Sequence, residues 1–201
     1  MKSFVLCISL ISLPAWADSS SLAGIQQQLS RPDVLCGQFA QAKTLLGLKK
    51  PVKSGGRFCM VNGKGVLWRT QHPFSQDLKL TRDEIIESQG ARVTKVLNTR
   101  QEPAVRIINS LLFSLMNGDL QQLEQNFSIS TQQAGKQWQA TLAPKAGNGI
   151  DKVIKQVVLS GNAQVQQILL TDQGGDQTDI QFYNLMSGHH ALQADEAKQF
   201  E

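Results

Sequence analysis

The stretch from Ala104 to Asn117, AVRIINSLLFSLMN, constrains the fold more than any other part of the chain. Only Arg106, Asn109, Ser110, Ser114 and Asn117 interrupt its apolar character. A run of about 14 residues makes a helix of roughly four turns. It falls short of the roughly 20 apolar residues that cross a bilayer. Val105, Ile108, Leu111, Leu112, Leu115 and Met116 recur at helical spacing on one wide stripe, which Ile107 and Phe113 extend. Pro103 stands where a helix starts and a missing N–H costs nothing. Gly118 is placed to end the helix. A helix this apolar, flanked on both sides by strand-like segments, must cover an apolar surface. It either plugs an ordinary core or closes over a lipid cavity.

The flanks read as β-structure. A short helix carrying Leu22, Ile25 and Leu29 on one face opens the chain, capped by Ser21 and stopped at Arg31-Pro32-Asp33. Strands are predicted from Val34, Lys53, Gly65, Gln76, Glu84 and Ala91 onward, with turn signals at Gly47 to Pro51, Asn62-Gly63, His72-Pro73 and Gln89-Gly90. Gly55-Gly56 marks a bulge or tight bend. Beyond the apolar helix, Asp119 caps a second short helix over Leu120 to Gln125. Strands resume at Phe127, Trp138, Val153, Val165 and Thr178, and Ala194 to Phe200 reads as a loosely attached last turn of helix. About ten strands at short, even spacing, without internal repeats, predict an antiparallel barrel or strongly curled sheet.

Residues 1–17 are expected to lie outside that domain. Lys2, the apolar run Phe4 to Leu13 and the small-x-small site Ala15-Trp16-Ala17 form a secretory signal, with cleavage expected before Asp18. Cys7 lies inside the apolar run, far from this site, so a soluble exported protein is expected, with residues 18–201 as one domain. Loss of Lys2 leaves 19 Lys and Arg against 16 acids, a formal charge of +3. The basic residues are scattered and the aromatics form no stacking platform, which argues against nucleic-acid binding. Export leaves Cys36 and Cys59, an even pair that favours a disulfide in an oxidising compartment. Pairing directly across a hairpin requires a turn centred near Gly47-Leu48.

No catalytic constellation stands out. His189-His190 follow Ser187-Gly188 in an expected loop, and no third or fourth metal ligand is singled out. Gly63-Lys64-Gly65 lacks the frame of a phosphate loop. Asp172, Asp176 and Asp179 match no calcium loop and read as solvated turn residues. The expectation is a binding protein with no metal and no cofactor, not an enzyme.

Several segments, taken in order, resemble the periplasmic outer-membrane lipoprotein carrier family, LolA. FAQAKTLLGLKKPVKSGGRF, GKGVLWRTQHPF and LKLTRDEII resemble its opening strands. LFSLMNGDLQQLEQNFSI resembles its lid helices, and WQATLAPKAGNGIDKVIKQVVLS and QVQQILLTDQGGDQTDIQFYNL its late strands. ADEAKQF resembles its tail, so the likeness covers most of residues 21–200. It implies a mainly β fold, an incomplete antiparallel β-barrel with a helical lid over an apolar cavity. It also implies a monomeric periplasmic carrier in a Gram-negative bacterium. Such carriers take triacylated lipoproteins from an inner-membrane donor transporter to an outer-membrane acceptor, so the expected cargo is a lipoprotein or other acylated lipid.

Strand alternation nominates Phe39, Leu67, Leu78, Leu80, Val96 and Trp138 as cavity wall. Trp68 faces away from Leu67 in a regular strand but sits where the family likeness is strong. Leu111, Leu112, Leu115 and Met116 are the nominated lid residues. A plain core has the same composition as a cavity wall. The family implies an arginine just before the proline of the third strand, acting in lid closing and release; here that residue is His72, with Arg69 nearby. Histidine titrates near neutrality and arginine does not, which points to a paralogue carrying another lipid. The other readings are an envelope lipid- or lipoprotein-sensing regulatory module and an enzyme acting on lipids.

Overall fold

The computed structural model describes residues 22–98, 113–114 and 119–201. The expected leader and the nominated lid residues Leu111, Leu112, Leu115 and Met116 lie outside the described residues. Helix α1 (Leu22–Gln28) comes first. Six strands follow: β1 (Val34–Thr44), β2 (Val52–Val61), β3 (Gly65–His72), β4 (Gln76–Leu80), β5 (Glu84–Gln89) and β6 (Arg92–Asn98). A 3-10 turn at Gln121–Gln125 precedes β7 (Phe127–Ala134), β8 (Gln137–Pro144), β9 (Ile154–Gly161), β10 (Val165–Asp172) and β11 (Gln177–Ser187). Helix α2 (Ala194–Lys198) lies near the C-terminus.

Among the described residues, 11 strands form one sheet in the order β6-β5-β4-β3-β2-β1-β11-β10-β9-β8-β7. Two meanders are joined where β1 pairs with β11. β6 and β7 are the outer strands, so the sheet does not close into a barrel. The pairing follows from local turn chemistry. Gly63 takes φ 75° in the β2–β3 turn after Asn62, the left-handed backbone that a tight hairpin requires. The Gly55-Gly56 pair coincides with a register shift against β3. A Cβ at Gly56 would stand 1.9 Å from the carbonyl oxygen of Arg69, so only glycine fits this close approach.

Each face of the sheet is covered by a different part of the chain. The inner face bears α1. There Ile25, Leu29, Leu120 and Leu123 pack on Phe127, Trp138, Leu142, Val157 and Leu159. These side chains alternate along their strands: in β8, Trp138, Ala140 and Leu142 are buried while Gln137, Gln139 and Ala143 are exposed. The predicted second short helix is a 3-10 turn, with the Gln122 N–H donating to Asp119 Oδ1 at 3.2 Å.

On the outer face, Val34, Cys36, Cys59 and Leu67 pack beneath Ala191 and Phe200. The C-terminal segment is therefore a packed cover and not the loosely attached turn expected from the sequence. Its Gln193 and Glu196 form a reciprocal capping box, and Glu196 is buried.

Candidate functional site

The cross-strand register of β2, β3 and β4 builds an apolar wall in two adjacent rungs. Phe58 lies opposite Trp68, and Trp68 opposite Leu78. One rung along, Met60 lies opposite Val66, and Val66 opposite Leu80. All six side chains share the inner face, because residues two apart on a strand point the same way. Leu35 of β1, opposite Met60, continues the second rung. These residues line an apolar cavity of about 200 Å³. Leu29 and Ser30 after α1, Gln164 and Val165 at the β9–β10 turn, Ile168 of β10 and Phe182 of β11 complete the described lining. The cavity thus begins where the core under α1 ends, since Leu29, Val165, Ile168 and Phe182 also pack against that core.

Aromatic rings form one border of the cavity. Phe58 meets Phe182 edge to face, with centroids 5.1 Å apart and planes at 65°. Trp68 meets Phe182 at 6.0 Å and 89°. Phe39 is buried behind them, stacked on Trp68. The two edge-on contacts to Phe182 suit the ring quadrupoles. Ser30 and Gln164 are the polar side chains of the described lining. Such a wall offers dispersion contact and exclusion of water, the means of holding a hydrocarbon chain.

Of the wall residues nominated from sequence, Trp68, Leu78 and Leu80 line this cavity, and Phe39 supports it through Trp68. Three nominations need correction. Leu67 stands on the outer face, opposite Cys59, buried with the cysteines under the C-terminal segment. Val96 of β6 is 54% exposed, away from the cavity. Trp138 belongs to the closed core under α1, and its indole N–H donates to the carbonyl of Asn162 at 2.6 Å. The error at Leu67 has a clear cause. Both faces of β3 are covered, so Leu67 and Trp68 are both apolar neighbours and the strand alone does not reveal its phase. Phe58, Met60, Val66 and Phe182 were not nominated. The signal for the first three was the Asn62-Gly63 turn, which fixes the β2–β3 register and sets them in line with Trp68.

The outer face carries a group of charged contacts. Cys36 and Cys59 lie directly opposite each other on β1 and β2 and are joined as a disulfide, with Cα atoms 4.1 Å apart. Beside it, Arg57 donates through Nε to Glu196 Oε1 at 2.7 Å and through an η nitrogen to Oε2 at 3.1 Å. That η nitrogen also donates to the carbonyl of Ala191 at 2.7 Å. Arg69 lies within 3.6 Å of Asp77 and donates to Asp195 Oδ2 at 2.5 Å. The hydrogen bond from Arg69 holds the Asp195 carboxyl below its ordinary value of 3.8. Arg69 therefore ties α2 to the sheet on the face away from the cavity. His72 is exposed at the far end of β3, before the cis peptide to Pro73.

A solved LolA superfamily protein from Nitrosomonas europaea overlays 90% of this chain and 95% of its own at 9% identity, with a TM-score of 0.48. The outer-membrane lipoprotein carrier protein of Pseudomonas entomophila (strain L48) is 21% identical over 198 residues, covering 96% of this chain and 90% of the relative. The protein of the same description from Pseudomonas fluorescens Pf-5 is 24% identical over 200 residues, covering 96% and 89%. The family model for outer membrane lipoprotein carrier protein LolA-like sequences matches residues 15–197. With that match running through α1, the whole sheet and most of α2, the chain belongs to the LolA-like outer membrane lipoprotein carrier family.

Proposed function

We propose that this protein is a periplasmic carrier that shelters acyl chains in the inner-face cavity during transfer from the inner to the outer membrane. The observation that supports this reading is the two-rung wall of Phe58, Trp68, Leu78, Met60, Val66 and Leu80, left outside the core that α1 fills. Each methylene withdrawn from water onto such a wall is worth about 0.8 kcal/mol. Residues 1–17 serve as the export signal in this account, and Leu111, Leu112, Leu115 and Met116 as the cover. An inner-membrane donor and an outer-membrane acceptor are the partners. Release requires that the closed and open states differ by little, so that a partner shifts the balance.

The cargo is a lipid other than the triacylated lipoprotein of the family's usual members. His72, in place of the arginine that the resemblance implies before Pro73, supports this part of the reading. Mass spectrometry of material copurifying with the mature protein from its own periplasm tests it. A bound free lipid or lipid conjugate is the expected result. A triacylated peptide after proteolysis would restore the ordinary cargo. An empty protein that also refuses acyl probes would remove the carrier reading.

A further inference from the structure

A second apolar surface lies at the opposite end of the same strands. From Phe58 to Val52, β2 runs six residues away from the cavity, roughly 20 Å at strand rise. There the β1–β2 connection carries Leu46, 79% exposed, with Leu48 and Val52 also exposed. The β3–β4 connection emerges from the same end of the sheet, two strands away, and carries Phe74, also 79% exposed. The leucines are held outward by a built turn. Gly47 takes φ 89°, the Leu48 N–H donates to the carbonyl of Leu45 at 3.0 Å, and the Leu46 N–H donates to Asp176 Oδ1 at 2.8 Å. Lys43, Lys49, Lys50 and Lys53 flank Leu46 and Leu48 along the β1–β2 segment, all exposed, and residues 43–53 contain no acid; Phe74 is followed by Asp77 at the start of β4. Asp176, the neighbouring carboxylate from the β10–β11 turn, is engaged by the backbone of the loop.

We infer that this end of the sheet docks on the surface of an anionic lipid bilayer. A lone exposed apolar side chain is ordinary, but Leu46 and Leu48 are held out together on one ordered turn among four lysines, the pairing of apolar and basic groups that a membrane surface accepts. The four lysines that flank the leucines on this segment select the partner. Leu46, Leu48 and Phe74 enter the acyl boundary while the lysine stems reach phosphate headgroups. A protein groove would satisfy the apolar tips, but the lysines complement a continuous field of negative charge. This inference does not rest on the cavity's cargo. It adds a means by which the chain stands on a membrane without spanning it.

Flotation of the mature protein with vesicles of pure phosphatidylglycerol or pure phosphatidylcholine tests the inference. Uptake of a fluorescent acyl probe, measured in parallel, reports the cavity separately. The protein is expected to float with phosphatidylglycerol and not with phosphatidylcholine. The Leu46→Asp/Phe74→Asp and Lys49→Glu/Lys50→Glu variants should each lower the bound fraction about tenfold, with probe uptake unchanged. Failure to float with phosphatidylglycerol, equal flotation with phosphatidylcholine, or wild-type flotation of both variants overturns the inference. Loss of probe uptake in the wild-type protein would instead count against the carrier reading.

Discussion

Phe39 stacks on Trp68 with ring centroids 3.8 Å apart and planes at 29°, although β2 lies between their strands. The β2 residue opposite Phe39 is Gly56, and the missing side chain leaves the two rings free to meet across it. The same glycine admits the carbonyl of Arg69 at the bulge. One position therefore sets both the bend of β2 and the aromatic border of the cavity.

Gly56→Ala should destabilise the protein by about 1–3 kcal/mol, because the new Cβ meets backbone and not the end of a flexible side chain. Urea denaturation measures this directly. An unchanged midpoint would show that the bulge relaxes freely and that Gly56 does not set the border.

The outer-face ion pair predicts an asymmetry between single and double replacement. Glu196 is 1% exposed, and Arg57 supplies two of its hydrogen bonds. Arg57→Met takes the nearest cation and two hydrogen bonds from a buried carboxylate, leaving the Gln193 N–H and Arg69 at 4.0 Å, and should cost up to about 3–5 kcal/mol. Arg57→Met/Glu196→Met should recover most of that loss, because no charge is then left buried. If the double variant is as unstable as the single one, the pair is not what the segment depends on.

Joining Cys36 to Cys59 closes a separation of 23 residues. Replacing both by alanine should lower stability by roughly 3 kcal/mol, mainly by freeing the unfolded chain. Thiol alkylation of the native protein followed by mass analysis should find neither cysteine labelled. Labelling at either residue would contradict the disulfide.

Acid should loosen α2 through Asp195. Its folded pKa lies below the ordinary 3.8 because of the Arg69 hydrogen bond. The pairing therefore adds stability above that value, and the contribution is lost as pH falls through the folded pKa. The group is exposed, so the effect is small and weakens in salt. Asp195→Asn should have a lower urea midpoint than wild type at neutral pH, and the two should converge in acid. A gap that widens in acid would contradict the assignment.

The sequence disclosed the strands well because turn chemistry and alternation are local. Asn62-Gly63, Gly55-Gly56 and Gln89-Gly90 mark two hairpin turns and a bulge that the structure contains. The pairing of β1 with β11 was not legible, since it joins residues far apart in the chain. The site was legible only in part, for a related reason. Leu78 and Leu80 alternate with polar residues, so their inward face is plain. Leu67 and Trp68 are both apolar because the C-terminal segment covers the outer face, and nothing local to β3 reveals that cover. Trp138 is as apolar as a wall residue. Its place in closed core follows from α1 and Leu123 packing over that half of the sheet.

The most direct test of the central claim is uptake of a fluorescent acyl probe by the wild-type protein, Leu78→Arg and Lys64→Glu. Leu78 is half-buried on the cavity wall, so a charge there reaches the lumen without being forced into closed core. Lys64 is exposed in the β2–β3 turn and serves as the control. Both variants should unfold cooperatively. The carrier account predicts probe uptake by wild type and Lys64→Glu, with a loss of about tenfold or more in Leu78→Arg. Wild-type uptake by a folded Leu78→Arg protein would contradict it.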